Sequence, residues 1–179
     1  LWDVDAHLRV ALDHLPPPDA GPVLDLGSGS SREGVFLAQR GYRVTALDRL
    51  PDALDLAQSR ARHHGVTIDR IERRLRRGED LPPGPWSVVL CFRFQLRPVA
   101  RALATVTAPG GVFVLRTYGP DDEPSAATRG PRRARERLGI DEIRERLGAS
   151  WEERLPVEID RQDGTSWIGG LWHRRIAYQ

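Results

Sequence analysis

The chain has 179 residues, 40% of them apolar and 29% charged, with 27 basic side chains against 25 acidic ones. That is length enough for one substantial core, and it is read as a single globular domain over residues 1–179. No window approaches the roughly 18 consecutive apolar residues of a membrane helix, a net charge of +2 exerts little general pull on polyanions, and the lone cysteine, Cys91, excludes an intramolecular disulfide.

With no cystine framework the expected compartment is the cytoplasm. The opening LWDVDAHLRVALDHL mixes acids and bases at helical spacing, unlike a signal peptide. Methionine is absent, which places the native start outside this numbering, and every base other than histidine is arginine. An arginine-biased genome accounts for that skew more simply than nucleic-acid binding does.

Val4, Leu8, Ala11, Leu12 and Leu15 share one helical face, and PPPDAG stops that helix. VLDL follows as a short buried strand, and GSGSS leads into a helix over about 31–40. Ser30 and Glu33 have capping-box spacing, and Gly41 stands where a left-handed terminator is expected. YRVTALD is a second strand, and the helix after it opens at Pro51 and closes at Gly65. A third strand lies within VTIDRIERRLRRGED, where charges blur the period. WSVVLCF is a strongly apolar strand, PVARALATVTA a helix ended by Pro109-Gly110-Gly111, and VFVLRTY another apolar run. Runs apolar on both faces belong to parallel sheets covered by helices, so the alternation predicts a doubly wound α/β fold. Beyond Tyr118 the pattern breaks: a polar, arginine-rich excursion over 119–139 precedes a helix near Asp141–Leu147. Two last strands, near Trp151–Ile159 and Leu171–Tyr178, are joined by DRQDGTS as a hairpin.

The chemistry concentrates between Val23 and Asp48. Gly27 and Gly29 let backbone turn tightly and approach a ligand, and the helix start behind them offers unpaired amides. Asp48, 21 positions after Gly27, ends a strand where a carboxylate can accept from two ribose hydroxyls. A dinucleotide site would have a third glycine at Arg32. Asp25, beneath the loop, suits an ammonium group better than a pyrophosphate. A ribose, an ammonium and a short carboxylate tail describe S-adenosylmethionine rather than NAD.

VLDLGSG, VTALD, GEDLP, WSVVLCF and APGGVFVLRTY, in that order, resemble the class I S-adenosylmethionine-dependent methyltransferases over roughly 23–117. FRFQLRP and the small size are most similar to bacterial enzymes related to the tellurite-resistance and thiopurine methyltransferases. The resemblance implies a Rossmann-like, mainly parallel seven-stranded sheet with an antiparallel last strand and helices on both faces. It implies S-adenosylmethionine as cofactor and S-adenosylhomocysteine as product. Asp25, Gly27, Ser28 and Gly29 then match the loop that holds the methionine part. Asp48 matches the ribose acid, with Arg49 and Leu50 beside adenine, and Glu79, Asp80 and Leu81 match the segment that meets the adenine amine. Cys91 and Phe92 match the positions that line the sulfonium and methyl. The chain departs from the family's pattern at Ser31, where the third loop glycine would stand, and at Ser87, where an Asp is common. Arg77 competes for the place of the adenine-binding acid, for which Glu79 and Asp80 are both open.

Each assignment has a plainer counterpart. The glycine loop could be a structural turn, Glu79 and Asp80 solvated loop acids, and Cys91 a small buried hydrophobe with no cation to activate it. Arg93 and Arg97 are candidates for an anionic acceptor group or for salt bridges. Trp2 is either part of a lid formed by residues 1–20 or a frayed terminal aromatic. Arg116, Tyr118 and Arg129 are candidate acceptor contacts beside the 119–139 loop. The five histidines form no metal pattern, and no side chain stands out as a general base. The arginine runs over 70–77 and 129–137 interleave acids and lack stacking aromatics, so a solvated surface is expected and nucleic acid is not.

Methyl transfer to a small molecule, by alignment and exclusion of water, is the first reading. The lack of a base favours a soft or already ionised acceptor. A non-catalytic cofactor-binding or protein-interaction module is the alternative, followed by an RNA methyltransferase and last an NAD oxidoreductase. No membrane association is expected, and the chain is read as a monomer or homodimer.

Overall fold

A computed structural model describes residues 3–120, 137–162 and 165–176. Trp2, Arg129, most of the 119–139 loop, the hairpin tip at 163–164 and Tyr178 lie outside the described residues.

The parallel strands are β1 (Val23–Leu26), β2 (Val44–Asp48), β3 (Asp69–Glu72), β4 (Trp86–Phe92) and β5 (Thr107–Tyr118), joined by β6 (Trp151–Gln162) and β7 (Thr165–Arg174) in the order β3-β2-β1-β4-β5-β7-β6. β7 runs antiparallel to both β5 and β6. All residues of β1 and β4 are buried, which is why both read as unbroken apolar runs. Helices α1 (Ala6–Ala11), α2 (Arg32–Ala38) and α3 (Pro51–His63) bury Leu8, Leu37 and Leu54 against one face, with Val88 and Val114. α4 (Leu103–Val106) and α5 (Ile140–Leu147) bury Leu103 and Ile143 against the other, with Leu24 and Phe113. Helices thus cover both faces.

Several local expectations shift. The first helix shortens to α1 followed by a 3₁₀ turn at Leu12–His14. The helix after Pro98 reduces to a 3₁₀ turn at Ala100–Ala102 and the single turn of α4, while β5 begins at Thr107, ahead of the Pro-Gly-Gly. A register shift between Trp86 and Val88 absorbs those extra residues. β3 eluded the period because it is an edge strand: only Ile71 is half-buried, and Arg70 pairs outward with Asp55 of α3.

The capping box does not form. Ser31, not Ser30, is the N-cap of α2, at φ 47° and ψ 49°, and its side chain makes no cap hydrogen bond. Buried Asp25 draws the Ser31 hydroxyl inward at 2.7 Å. Glu33 turns to Arg32 and Arg93 instead, and the Ser30 hydroxyl accepts from Arg60 of α3.

Candidate active site

The strand order reverses between β1 and β4, and their carboxyl ends open a crevice there, the usual ligand position of a doubly wound sheet. Beyond Leu26 the chain turns through Gly27 (φ 59°) and Gly29 (φ 53°), the left-handed region that glycine enters without steric cost. The Ser28 N–H donates to the Leu47 carbonyl at 3.0 Å. The Gly29 N–H donates to Asp48 Oδ2 at 2.8 Å, and the Leu50 N–H to Asp48 Oδ1 at 3.0 Å. Asp48 therefore staples the glycine loop to the start of α3, and each oxygen keeps a lone pair for a ligand.

A cleft of about 370 Å³ opens above this staple. Gly27, Asp48, Arg49 and Leu50 line it on one side, Arg73, Arg74 and Leu75 at the end of β3, and Arg93, Phe94 and Gln95 beyond β4. A Cβ on Gly27 would run into the Phe94 ring, whereas one on Gly29 would meet nothing within 4 Å. The space over Gly29 is open. Apolar walls at Leu47, Leu50 and Leu75 suit a flat base, and the Asp48 rim suits vicinal hydroxyls. An adenosine with a short polar tail fits this donor set.

Asp25 faces away from the cleft. Its carboxyl lies between β1 and α2, beside Ser31 and Gly34. Burial pushes its pKa up from 3.8 to about 7, and Glu33 adds to the rise against the Ser31 hydrogen bond. Asp25 reaches the loop through Ser31.

The segment assigned to the adenine amine also stands apart from the cleft lining. Asp80 Oδ2 accepts from the Arg76 and Arg77 N–H groups at 2.7 and 3.1 Å, which holds its carboxyl below the usual range. Glu79 is exposed, 3.6 Å from Arg77, and Leu81 is buried in the core. Cys91 and Phe92 are buried within β4. Burial, with Asp25 nearby, raises the Cys91 thiol well above its ordinary range, so it is no nucleophile. The residues just beyond them, Arg93 to Gln95, line the cleft in their place.

Of the candidate acceptor contacts, Arg97 is a tie between elements. It grips Glu142 of α5 in a bidentate pair, Nε to Oε1 at 2.6 Å and Nη2 to Oε2 at 2.7 Å. Arg93, left-handed at φ 57°, borders the cleft and donates to Glu33 at 2.9 Å. Its other guanidinium nitrogen lies 3.8 Å from Asp5. Arg116 is buried, donates from Nη2 to both Asp160 oxygens at 2.9 Å, and places Nε 3.8 Å from Asp5. Tyr118 packs at a tilt of 31° against Trp167, with ring centroids 4.6 Å apart. Arg93, Asp5 and Arg116 thus form a charged partition at the carboxyl edge of β4 and β5.

Sequence reasoning did not select Arg73–Leu75, Phe94 or Gln95 as lining of this cleft, nor Asp5 beside Arg93: Arg73 and Arg74 read as solvated surface, and FRFQLRP only as a family likeness. The strand-end rule that selects Asp48 would have found Arg73–Leu75 had the end of β3 been located.

The family model described as a methyltransferase domain matches residues 23–111. A ubiquinone biosynthesis O-methyltransferase of Xanthomonas campestris pv. campestris is 31% identical over 134 residues, 65% of this chain and 55% of that protein. One from Erwinia tasmaniensis is 32% identical over 100 residues, 53% of this chain and 41% of that protein. The aligned part of the chain thus spans about half the length of these curated relatives. Among solved structures, TehB of Haemophilus influenzae superposes with a TM-score of 0.76 at 16% identity, over 97% of this chain and 63% of that one. Magnesium protoporphyrin IX methyltransferase of Synechocystis PCC 6803, with bound S-adenosylhomocysteine, gives 0.69 at 17%, over 93% and 78%. The fold is that of a doubly wound α/β domain with a glycine–aspartate cleft at its switch point. The chain belongs to the class I S-adenosylmethionine-dependent methyltransferases.

Proposed function

We propose that the chain transfers a methyl group from S-adenosylmethionine to a small organic acceptor. One observation carries this reading. The Asp48 carboxylate is fixed by the Gly29 and Leu50 amides at the rim of a cleft at the sheet's switch point, with open space over Gly29. When bound, the cofactor supplies a methyl on a sulfonium, which needs no further activation.

The chain's own groups hold and orient. Asp48 accepts from the ribose hydroxyls, Arg49 and Leu50 flank the base with Leu75 opposite, and the Gly27–Gly29 loop leaves room for the amino-acid tail. Asp25 acts through Ser31, fixing the loop's shape. Within the single domain read from the sequence, residues 1–20 are the candidate lid and the loop over 119–139, which follows β5, is the candidate specificity element on the acceptor side. Arg93 and Arg116 stand on the acceptor side. The ubiquinone biosynthesis O-methyltransferases among its relatives support an organic acceptor methylated on oxygen.

Parallel calorimetric titration with S-adenosylmethionine, S-adenosylhomocysteine and NAD tests the reading. Micromolar binding of both sulfur nucleosides and none of NAD is expected. Absence of all three would leave the glycine loop purely architectural and refute the proposal.

A further inference from the structure

Among the described residues four arginines line the cofactor cleft: Arg49, Arg73, Arg74 and Arg93. Arg49 follows β2, and Arg73 and Arg74 follow β3, so these three stand at the base end. Arg73 is engaged there, its Nη1 donating to the Asp80 carbonyl at 3.2 Å. Of the four, Arg93 alone follows β4.

Arg93 leaves β4 on the acceptor side, but its side chain turns back to the glycine loop. Its backbone is left-handed at φ 57°, a region that a residue with a side chain seldom enters, and its N–H donates to the Arg116 carbonyl at 2.7 Å. Strain of this kind concentrates at ligand sites. The turn sets Phe94 over Gly27, whose added Cβ would run into the ring. It also brings Arg93 Nη2 to 2.9 Å from Oε1 of Glu33, in the first turn of α2 and four positions beyond Gly29. Asp25, behind the loop, feels both charges: Arg93 draws its pKa down and Glu33 pushes it up. Arg93 and Phe94 thus meet the loop at Gly27 and at the start of α2.

A structural ion pair does not account for this guanidinium. Glu33 Oε1 already accepts from Arg32 Nε at 2.9 Å and Nη2 at 2.6 Å, so its charge is met without Arg93. The Asp5 carboxylate stands 3.8 Å from Arg93 Nη1, beyond hydrogen-bond reach. Of the five side-chain N–H donors of an arginine, Arg93 uses one within the described residues, and its side chain is 34% exposed on the cleft wall.

We infer that Arg93 is the carboxylate anchor of the cofactor cleft: it grips the α-carboxylate of the ligand's amino-acid tail and so selects nucleosides that carry an amino acid over those that do not. The assignment rests on the methyltransferase reading and deepens it. A guanidinium presents parallel N–H groups that match the two oxygens of a carboxylate, and such charge-assisted pairs are the strong ones. Glu33 and Asp5 would repel that carboxylate were Arg93 not between them. The tail's ammonium group offsets the added negative charge, so a zwitterionic tail suits this network better than a bare acid.

Calorimetry in wild type and Arg93→Gln compares three ligands: S-adenosylhomocysteine, its decarboxylated analogue 5′-(3-aminopropylthio)-5′-deoxyadenosine, and 5′-methylthioadenosine, which lacks the tail. Wild type should bind S-adenosylhomocysteine about tenfold or more tightly than the decarboxylated analogue. Arg93→Gln should lose most of that ratio while its affinity for methylthioadenosine stays unchanged, which shows that the base and ribose ends are intact. In wild type alone, S-adenosylhomocysteine should shift the Arg93 Nε resonance in ¹⁵N NMR and methylthioadenosine should leave it in place. Should the variant not fold, the wild-type ratio and resonance decide. The proposal is overturned by the same ratio in both proteins, by a wild type that binds S-adenosylhomocysteine and the decarboxylated analogue alike, or by an Arg93 resonance that does not distinguish S-adenosylhomocysteine from methylthioadenosine. A wild type that binds none of the three refutes instead the reading on which the proposal rests.

Discussion

Replacing Asp25 by Asn removes an ionisable group from the interior while nearly preserving its shape. The side chain is 2% exposed and accepts the Ser31 hydroxyl at 2.7 Å, a bond an amide oxygen can also accept. Burial is the largest influence on its carboxyl and raises the pKa from 3.8 to about 7; the Ser31 and Gly34 hydrogen bonds and Arg93 oppose it, and Glu33 reinforces it. Between those two values the folded protein holds a proton that the unfolded chain has lost. Stability therefore falls as pH rises, by about 1.4 kcal/mol per pH unit. From pH 4 to 7 the loss is about 4 kcal/mol, and the contribution is flat above that range. The amide introduced by Asp25→Asn has no proton to lose, so the variant should lack this slope and gain on wild type up to about pH 7. Urea unfolding of both proteins at half-unit steps from pH 4.5 to 8 reads the difference directly. Parallel pH profiles for the two would refute the reasoning, as would a wild type that gains on the variant with rising pH.

Gly29→Ala should cost about 1 kcal/mol of stability, since a Cβ at φ 53° is strained. It should weaken S-adenosylhomocysteine binding more than tenfold, because the Cβ projects into the open space over the loop where the proposed ligand's tail would lie; calorimetry that finds wild-type affinity removes the loop from the site. Arg97→Met should lose about 1–3 kcal/mol in denaturant unfolding, since the bidentate pair with Glu142 is lost, leaving that carboxylate to Arg146, and with it the donation to the Arg137 carbonyl; cofactor affinity should be unchanged. A stable variant with altered affinity would return Arg97 to the site. Gly169→Ala places a Cβ 2.8 Å from the His7 ring and should destabilise by about 1–3 kcal/mol in thermal melts.

The parallel half of the sheet was legible because β1, β2 and β4 are buried on both faces and write continuous apolar runs. β3 was not, because an edge strand with charged outward side chains carries no such signal. The same gap hid Arg73–Leu75, since a strand-end rule needs the strand's end. Asp48 was legible from its spacing to Gly27. The direction in which Asp25 points was not: a strand residue faces one side or the other, and only the packing of α2 fixes which. His7 looked isolated because its partners, Gly169 and Gly170, lie more than 160 positions away. Their glycine pair makes sense only once the ring lying on it is seen.

The account turns on Asp48 holding a ribose. S-Adenosylhomocysteine and its 2′-deoxy analogue, titrated into wild type and Asp48→Asn, form a cycle that isolates the contact between carboxylate and hydroxyl. Wild type should prefer the parent nucleoside by about 1–3 kcal/mol, and Asp48→Asn should lose most of that preference while still binding both. Equal preference in the two proteins, or none in wild type, would contradict the assignment of this cleft to the cofactor.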